Sequence, residues 1–194
     1  MFVQVPRKIL KERINSLISD FNYECNKETL VKIHEFLFED YYIDPGKFRT
    51  CGLSKKQSIL NNETVEYAKS NEIHLKLEKI FYEEKVLDYN NFSENDKIIH
   101  IAEFISKLWQ IHPFRDGNTR TIVVFLIKHL IDKGFIVTNK KFKHYSIYFR
   151  NTLVRAVFEN KEKGIIKDIS PLVDFLKFVI FNIPTNLRSK YLQI

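Results

Sequence analysis

Residues 112–134 read HPFRDGNTRTIVVFLIKHLIDKG, and this stretch decides the fold. Its second part, residues 119–133, is apolar on almost every face of a helix, which indicates a helix that is buried on all sides. Gly134 follows, and glycine is the residue that most often ends a helix. Apolar residues at helical spacing recur on both sides of this stretch, at residues 9–21, 30–41, 73–89, 97–110, 142–161 and from 170. The sequence therefore predicts an all-α protein, a bundle around a buried central helix at about residues 119–133.

One segment interrupts the helical pattern. Asp44-Pro45-Gly46 is a turn signal, and no helical stripe runs through the residues that follow it as far as residue 60. An irregular or hairpin element is therefore predicted there. The chain has no internal repeat, no low-complexity tract and no linker rich in Pro, Gly or Ser, so we expect a single domain over residues 1–194.

The composition excludes several classes of protein. A chain of 194 residues with 44% hydrophobic residues can bury a core and is neither disordered nor collagen-like. Cys25 and Cys51 are too few for a disulfide framework and favour a reducing compartment. No apolar run approaches the length of a membrane span, so we expect a cytoplasmic protein with no membrane partner, a secreted effector being the alternative.

The net charge of +7 suits nucleic acid, acidic proteins or nucleotides and selects none of them. The densest basic cluster, residues 140–144, is more typical of a solvated helix start than of a nucleic-acid site. We therefore expect no nucleic-acid partner.

The loop before the central helix carries the residues suited to chemistry. Pro113 disfavours the α conformation at His112, so the preceding helix should end there with the imidazole at the loop mouth. Imidazole titrates near neutral pH and suits a general base. Asp116 offers a hard oxygen ligand for Mg²⁺ when phosphates supply the other ligands. Gly117 permits a tight turn that another group can approach closely.

The start of the central helix is a candidate anion site. Asn118 or Thr119 is predicted to cap this helix, whose first N–H groups and dipole attract negative charge. Arg120 in the first turn adds donors suited to phosphate. Each of these residues alone is more often structural, but together they suit phosphoryl or nucleotidyl transfer, in which catalysis is mostly positioning and charge stabilisation.

Residues 112–120 closely resemble the signature of the Fic family, His-x-Phe-x-[Asp/Glu]-Gly-Asn-[Gly/Lys]-Arg. Residues 46–50, Gly-Lys-Phe-Arg-Thr, are similar to the Gly-Lys-x-Arg element that precedes the target-docking flap in such proteins. The resemblance extends over about residues 26–158. It implies a Fic-type helical bundle with a small β-hairpin flap near residues 48–60.

The resemblance also implies an activity, that of a protein adenylyltransferase moving AMP from ATP to a Ser, Thr or Tyr hydroxyl of a target protein. His112 would be the general base, and Asp116 would hold Mg²⁺ on the phosphates. The phosphate-binding residues would be Gly117, Asn118, Thr119 and Arg120. The target-docking flap would contain Ser54, Lys55, Lys56, Gln57, Ser58 and Ile59.

Two positions depart from the family pattern and leave the nucleotide preference open. Thr119 stands where glycine is usual, and Val123 stands where many members carry a second arginine. Two alternatives to AMP transfer are a Doc-like phosphotransferase on the same scaffold and a catalytically silent binding module. The inhibitory pattern [Ser/Thr]-x-x-x-Glu-[Gly/Asn] is absent from the sequence. We therefore expect no inhibitory helix within the chain, and either a small antitoxin-like partner or no such control.

Overall fold

The computed structural model describes residues 4–20 and 22–194. Phe21, which the periodicity places on the apolar face of the first helix, lies outside these residues. Eight α-helices occur in the described ranges: α1 (Arg7–Asp20), α2 (Lys27–Phe38), α3 (Ile73–Lys85), α4 (Glu94–Ile111), α5 (Asn118–Asp132), α6 (Asn139–His144), α7 (Ser146–Val157) and α8 (Ser170–Phe181). A single antiparallel pair, β1 (Ser54–Lys56) and β2 (Thr64–Glu66), accompanies them in this part of the chain. The prediction of an all-α fold with a small hairpin is confirmed.

The central helix is α5. It contacts α1, α2, α4 and α6, and most of its side chains are buried, including Leu126, Ile127 and Leu130 at 0% exposure. Gly134 follows it in the left-handed conformation, with φ 90°. The predicted buried helix at about residues 119–133 is therefore confirmed. Its N-terminus follows residues 112–117, here called the candidate loop.

The helix α4 delivers the other end of the candidate loop. Its Ser93 N-cap accepts the Asp96 N–H, a hydrogen bond typical of a helix start. The helix packs against α3, α5, α7 and α8, which together enclose its apolar face. Further along the chain, the region predicted as one helix over residues 142–161 is two helices, because Tyr145 leaves the helical conformation with ψ 29°.

The hairpin lies at residues 54–66, further along the chain than the predicted 48–60. In register, Ser54 pairs with Glu66 and Lys56 with Thr64. The turn between the strands contains a 3₁₀ segment at Ser58–Leu60, followed by two asparagines in the left-handed conformation. Asparagine adopts that conformation more readily than most residues, so it permits the reversal here.

No helix in the described ranges is long and apolar enough to cross a lipid bilayer.

A buried arginine ties the base of the hairpin to the end of α4. Arg49 donates to the carbonyls of His112 (2.8 Å), Cys51 (2.7 Å), Ile111 (3.3 Å) and Ala68. Carbonyls at a helix C-terminus attract a cation, since they carry the negative end of the helix dipole. Arg49 therefore joins both ends of the hairpin segment to the residue where the candidate loop begins.

Candidate active site

His112 stands directly after α4 and is almost fully buried, with 3% exposure. Its backbone is left-handed, with φ 51° and ψ 58°, so the helix ends before Pro113 as predicted. The imidazole stacks on the ring of Tyr67, with centroids 3.8 Å apart and planes 20° apart. The loop and the end of the hairpin therefore fix the ring from two sides.

Hydrogen bonding sets the tautomer of His112. Its Nδ1 lies 3.2 Å from the carbonyl oxygen of Trp109, and a carbonyl only accepts, so the proton is assigned to Nδ1. Nε2 then carries the lone pair. Burial, and next the charge of Lys55, lower the pKa of His112 to about 3. The imidazole is therefore neutral at neutral pH and can accept a proton at Nε2.

Asp116 is an ionised carboxylate near the other end of the loop in sequence. Its Oδ2 accepts from the Tyr42 hydroxyl at 3.0 Å and from Arg120 Nη2 at 3.4 Å. Burial raises the pKa of this carboxyl, but the Gly117 N–H, the Tyr42 hydroxyl and the Arg120 charge outweigh burial, so the pKa lies below its usual value. The carboxylate is therefore charged and can ligate a cation.

Arg120 is held by three contacts in the first turn of α5. Its Nη2 donates to the Tyr42 hydroxyl at 2.9 Å and lies near Asp116, and its guanidinium carbon lies 4.7 Å from the centroid of the Phe38 ring. These contacts reduce the number of conformations of a long side chain before any ligand binds. The guanidinium is therefore preorganised beside the helix N-terminus.

The cap of α5 differs from the prediction. Gly117, with φ 79°, is the N-cap, and Asn118 is already helical, so the prediction that Asn118 or Thr119 caps this helix is wrong. The Asn118 amide is buried and instead accepts from the Phe114 N–H (3.0 Å) and donates to the Phe114 carbonyl (2.7 Å). This pair of bonds closes the loop on itself. The first N–H groups of α5 have no partner within the helix, and this end of α5 lines the cavity described below.

Thr119 uses its extra side-chain atoms inside the site. Its Oγ1 accepts from the indole Nε1 of Trp109 at 3.0 Å. Trp109 also provides the carbonyl that fixes the tautomer of His112. The residue that replaces the family glycine thus links the start of α5 to the last turn of α4.

His34 connects the loop to the Gly-Lys-x-Arg element, a role that the sequence did not indicate. Its Nδ1 accepts the Gly46 N–H at 2.8 Å, so its Nε2 carries the proton and donates to the Asp116 carbonyl at 3.0 Å. The ring stacks on Phe114 at 3.8 Å. Burial lowers the pKa of His34 to about 4, which keeps the imidazole neutral.

One cavity of about 190 Å³, here called the loop cavity, brings the predicted residues together. All the residues predicted for catalysis, metal and phosphate line it: His112, Asp116, Gly117, Asn118, Thr119 and Arg120. Among the predicted flap residues described, Lys55 alone lines it. Tyr67, Trp109 and Arg150 complete the wall. Trp109 belongs to the last turn of α4, three residues before His112. Tyr67 follows the hairpin and Arg150 is on α7, and no spacing in the sequence relates these two residues to the loop.

The other predicted flap residues divide into two groups. Ser54 and Lys56 are exposed on β1. Gln57 is buried with its Oε1 2.7 Å from Arg150 Nη2, and Ser58 and Ile59 belong to the 3₁₀ turn. The Ile59 carbonyl already accepts the Ile194 N–H at 3.2 Å. Among the predicted flap residues, all of which the structure describes, those of β1 are therefore the ones that can present an exposed strand to an added segment.

Asp116 is compatible with Mg²⁺ but not with a cage made of protein ligands alone. Across the described ranges, no group of three or more His, Cys, Asp or Glu side chains is placed to hold a metal ion. Mg²⁺ is commonly bound by one or two carboxylates, with substrate phosphates and water as its other ligands. The charged carboxylate of Asp116 beside a candidate phosphate site meets that requirement.

The chain is similar to known proteins at both the sequence and the structural level. The sequence profile of the Fic/DOC family matches residues 24–130. A curated relative, the glucose-6-phosphate isomerase of Plasmodium falciparum, is 30% identical over 156 residues, which is 80% of this chain and 22% of that protein. The chain thus spans about a fifth of that relative's length, and the isomerase name is that of the longer protein.

Solved Fic domains of Bartonella have the same fold. The N-terminal Fic domain of a Bep effector from Bartonella sp. AR 15-3 superimposes with a TM-score of 0.65, at 17% identity, covering 89% of this chain and 80% of that one. A Bep effector domain from Bartonella quintana with bound ADP also scores 0.65, at 18% identity, covering 91% and 86%. BepC from Bartonella tribocorum with bound AMPPNP scores 0.62, at 17% identity, covering 95% and 90%.

Proposed function

Because the chain belongs to the Fic/DOC family, we propose that it is a protein adenylyltransferase, which transfers AMP from ATP to a Ser, Thr or Tyr hydroxyl of a target protein. The observation that carries the proposal is the content of the loop cavity. A neutral, buried His112 with a lone pair on Nε2 shares this cavity with Asp116, Arg120 and the N-terminus of α5. These are a proton acceptor, a metal-binding carboxylate and an anion site.

The proton acceptor acts on the attacking group. In the proposed reaction the oxygen of the target hydroxyl attacks the α-phosphorus of ATP, and its proton passes to Nε2 of His112. The bond from the α-phosphorus to the bridging oxygen breaks, and pyrophosphate leaves with that oxygen. The Trp109 carbonyl stabilises the imidazolium that forms, since it accepts the hydrogen bond donated by Nδ1–H.

The anion site acts on the phosphates. The first N–H groups of α5 and the guanidinium of Arg120 would bind phosphate oxygens, where negative charge is concentrated during transfer. Asp116 would hold Mg²⁺, which when bound supplies positive charge to the phosphates. Two structural neighbours contain bound ADP or AMPPNP, which supports nucleotide binding by this chain.

A labelling experiment tests the proposal. The full chain is incubated with Mg²⁺, a cell lysate and ATP labelled at either the α- or the γ-phosphate. Protein labelled from the α position only is the expected result. Label from the γ position only would instead indicate the Doc-like phosphotransferase, and no label from either would indicate the silent binding module.

Two substitutions assign the roles. His112→Ala is expected to lower target labelling about 10²–10⁴-fold and to leave ATP binding nearly intact, because a general base acts on the proton rather than on the phosphates. Asp116→Ala is expected to abolish the Mg²⁺-dependent part of ATP binding. His144→Ala, at an exposed position on α6, is the matched control. Unchanged labelling by the His112 variant would refute its role as base.

The regulation of this activity is also proposed to lie outside the chain. Among the described residues that line the loop cavity, Asp116 is the one acidic side chain, so no glutamate of this chain is placed to block the phosphates. We therefore propose either a separate antitoxin-like inhibitor or no such control, rather than an internal inhibitor. Deletion of α8 would not test this, because Phe175 and Leu176 are core residues with 0% exposure.

A further inference from the structure

The loop cavity has an excess of positive charge. Lys55, Arg120 and Arg150 line it, and they face a single carboxylate, that of Asp116. Arg120 lies 3.4 Å from that carboxylate. Lys55 and Arg150 form no ion pair with any residue in the part of the chain that the structure describes. Two cationic side chains therefore converge on the cavity without an ion-pair partner, and the cavity holds three cations for one carboxylate.

These cations come from three separate elements. Lys55 is on β1, Arg120 is in the first turn of α5, and Arg150 is on α7. Burial lowers the pKa of Lys55, and the charges of Arg150 and Arg120 lower it further against the opposing charge of Asp116. Bringing like charges together in a partly buried space costs free energy unless an anion binds among them.

We propose that Lys55 and Arg150 bind the outer phosphates of a nucleoside triphosphate whose α-phosphate lies at the N-terminus of α5. This inference rests on the proposed function and identifies how the site recognises its nucleotide. Val123 stands where a second arginine would follow Arg120, so α5 itself supplies one cation fewer. Arg150 replaces that cation from a different helix. A triphosphate then neutralises the two unpaired charges that a monophosphate would leave.

Gln57 positions Arg150 for this role. Its buried amide accepts from Arg150 Nη2 at 2.7 Å and donates to the Lys55 carbonyl at 3.2 Å. The amide therefore joins the hairpin to α7 and orients the guanidinium. This bond uses one of the five N–H donors of Arg150, and no other hydrogen bond to that side chain occurs within the described ranges, so the other donors are available to a phosphate.

The test compares nucleotides of different phosphate number. Binding of ATP, ADP and AMP to the full chain is measured by calorimetry in the presence of Mg²⁺. Arg150→Gln is expected to weaken ATP binding about tenfold or more, because one charge-assisted hydrogen bond to an outer phosphate is lost. The same variant should weaken AMP binding much less. The ATP affinity of Arg150→Lys should lie between that of the parent and that of Arg150→Gln, since lysine keeps the charge but loses the planar set of donors. Lys143→Gln removes one charge at an exposed position on α6 and should leave the affinities for ATP, ADP and AMP unchanged.

Each outcome bears on the inference. Equal losses of ATP and AMP affinity, or no loss in the Arg150→Gln variant, would overturn it. If that variant fails to fold, Lys55→Met provides the same comparison from the hairpin, with the same expected selective loss for ATP. A parent chain that binds no nucleotide would overturn both proposals. A parent chain that binds ATP with this Arg150 dependence but transfers no AMP would refute the proposed function and support the phosphate site.

Discussion

At the scale of single residues, Gly117 satisfies two separate requirements. Its φ of 79° is unfavourable for residues with a Cβ, and a Cβ built on it would lie 2.4 Å from Cε2 of Phe38. Gly164 has a similar φ of 66° but no atom within 4 Å of an added Cβ. Comparing the two glycines therefore separates the free-energy cost of the left-handed backbone from the cost of steric overlap between an added Cβ and Phe38.

Alanine substitutions at these two glycines measure both costs. Gly164→Ala is expected to lower the free energy of unfolding by about 1 kcal/mol, the cost of the left-handed conformation. Gly117→Ala is expected to lower it by about 1–3 kcal/mol more, because the Phe38 ring must also move. Urea denaturation of the two variants checks this. Equal losses would mean that Phe38 moves aside without cost.

The hydroxyl of Tyr67 gives a second prediction at this scale. The hydroxyl is buried with no hydrogen-bond partner in the described residues, although its ring stacks on His112. Tyr67→Phe keeps the ring and removes the unpaired hydroxyl, so the free energy of unfolding should rise by about 1 kcal/mol. Thermal and urea unfolding measure the change.

The matched control for this prediction is Tyr23→Phe. The Tyr23 hydroxyl lies 2.8 Å from Nδ1 of His129, and its removal leaves that nitrogen without its partner. The free energy of unfolding of this variant should therefore fall by about 1–3 kcal/mol. A loss of stability in the Tyr67 variant as well would show that its hydroxyl has a partner in solution.

At the scale of elements, we expect an extended target segment to add at the outer edge of β1. The Gln57 N–H bonds the Glu63 carbonyl at 2.9 Å, so the alternation of an antiparallel pair turns the N–H and C=O of Lys56 away from β2. An added strand would bond these outward groups, with little dependence on its sequence.

Proline at position 56 tests docking at this edge. Lys56→Pro removes the outward N–H without removing a bond to β2, and it should reduce target labelling several-fold while ATP binding changes little. Lys56→Ala removes the side chain and keeps the N–H, so it controls for the loss of charge. If both variants label the target as well as the parent does, the target docks elsewhere.

At the scale of the whole molecule, two buried histidines couple stability to pH. Burial lowers the pKa of His34 to about 4 and that of His112 to about 3, from an ordinary value of 6.5. Below about pH 6.5 the unfolded chain therefore binds protons that the folded chain does not. The free energy of unfolding should fall as the pH decreases from 6.5 towards 4, by about 1.4 kcal/mol per pH unit for each histidine.

The variant His34→Gln isolates one of these contributions. Glutamine offers an acceptor to the Gly46 N–H and a donor to the Asp116 carbonyl but does not titrate. Between about pH 7.5 and about pH 5, the free energy of unfolding of the variant should therefore fall by about 2 kcal/mol less than that of the parent. Urea unfolding at the two pH values provides the comparison. Equal losses in the two proteins would mean that folding does not lower the pKa of His34.

Features encoded by neighbouring residues could be predicted from the sequence. The burial of α5 follows from apolar residues on every face, and the end of α4 follows from Pro113. His112 and residues 116–120 line one cavity because a short loop between two helices cannot separate them. The single domain over residues 1–194 and the docking role of the flap stay predictions.

Features that depend on distant residues were decided by the tertiary structure. Arg150, Tyr67 and His34 reach the loop from other elements, and their place there depends on how the whole core packs, which no local spacing encodes. The cap of α5 is the clearest case. Asn118 has a side chain that favours capping, but burial of the loop placed it beside the backbone of Phe114, so it bonds there and Gly117 begins the helix. Local preference is worth about 1 kcal/mol, and burying an unpaired polar group costs more than that.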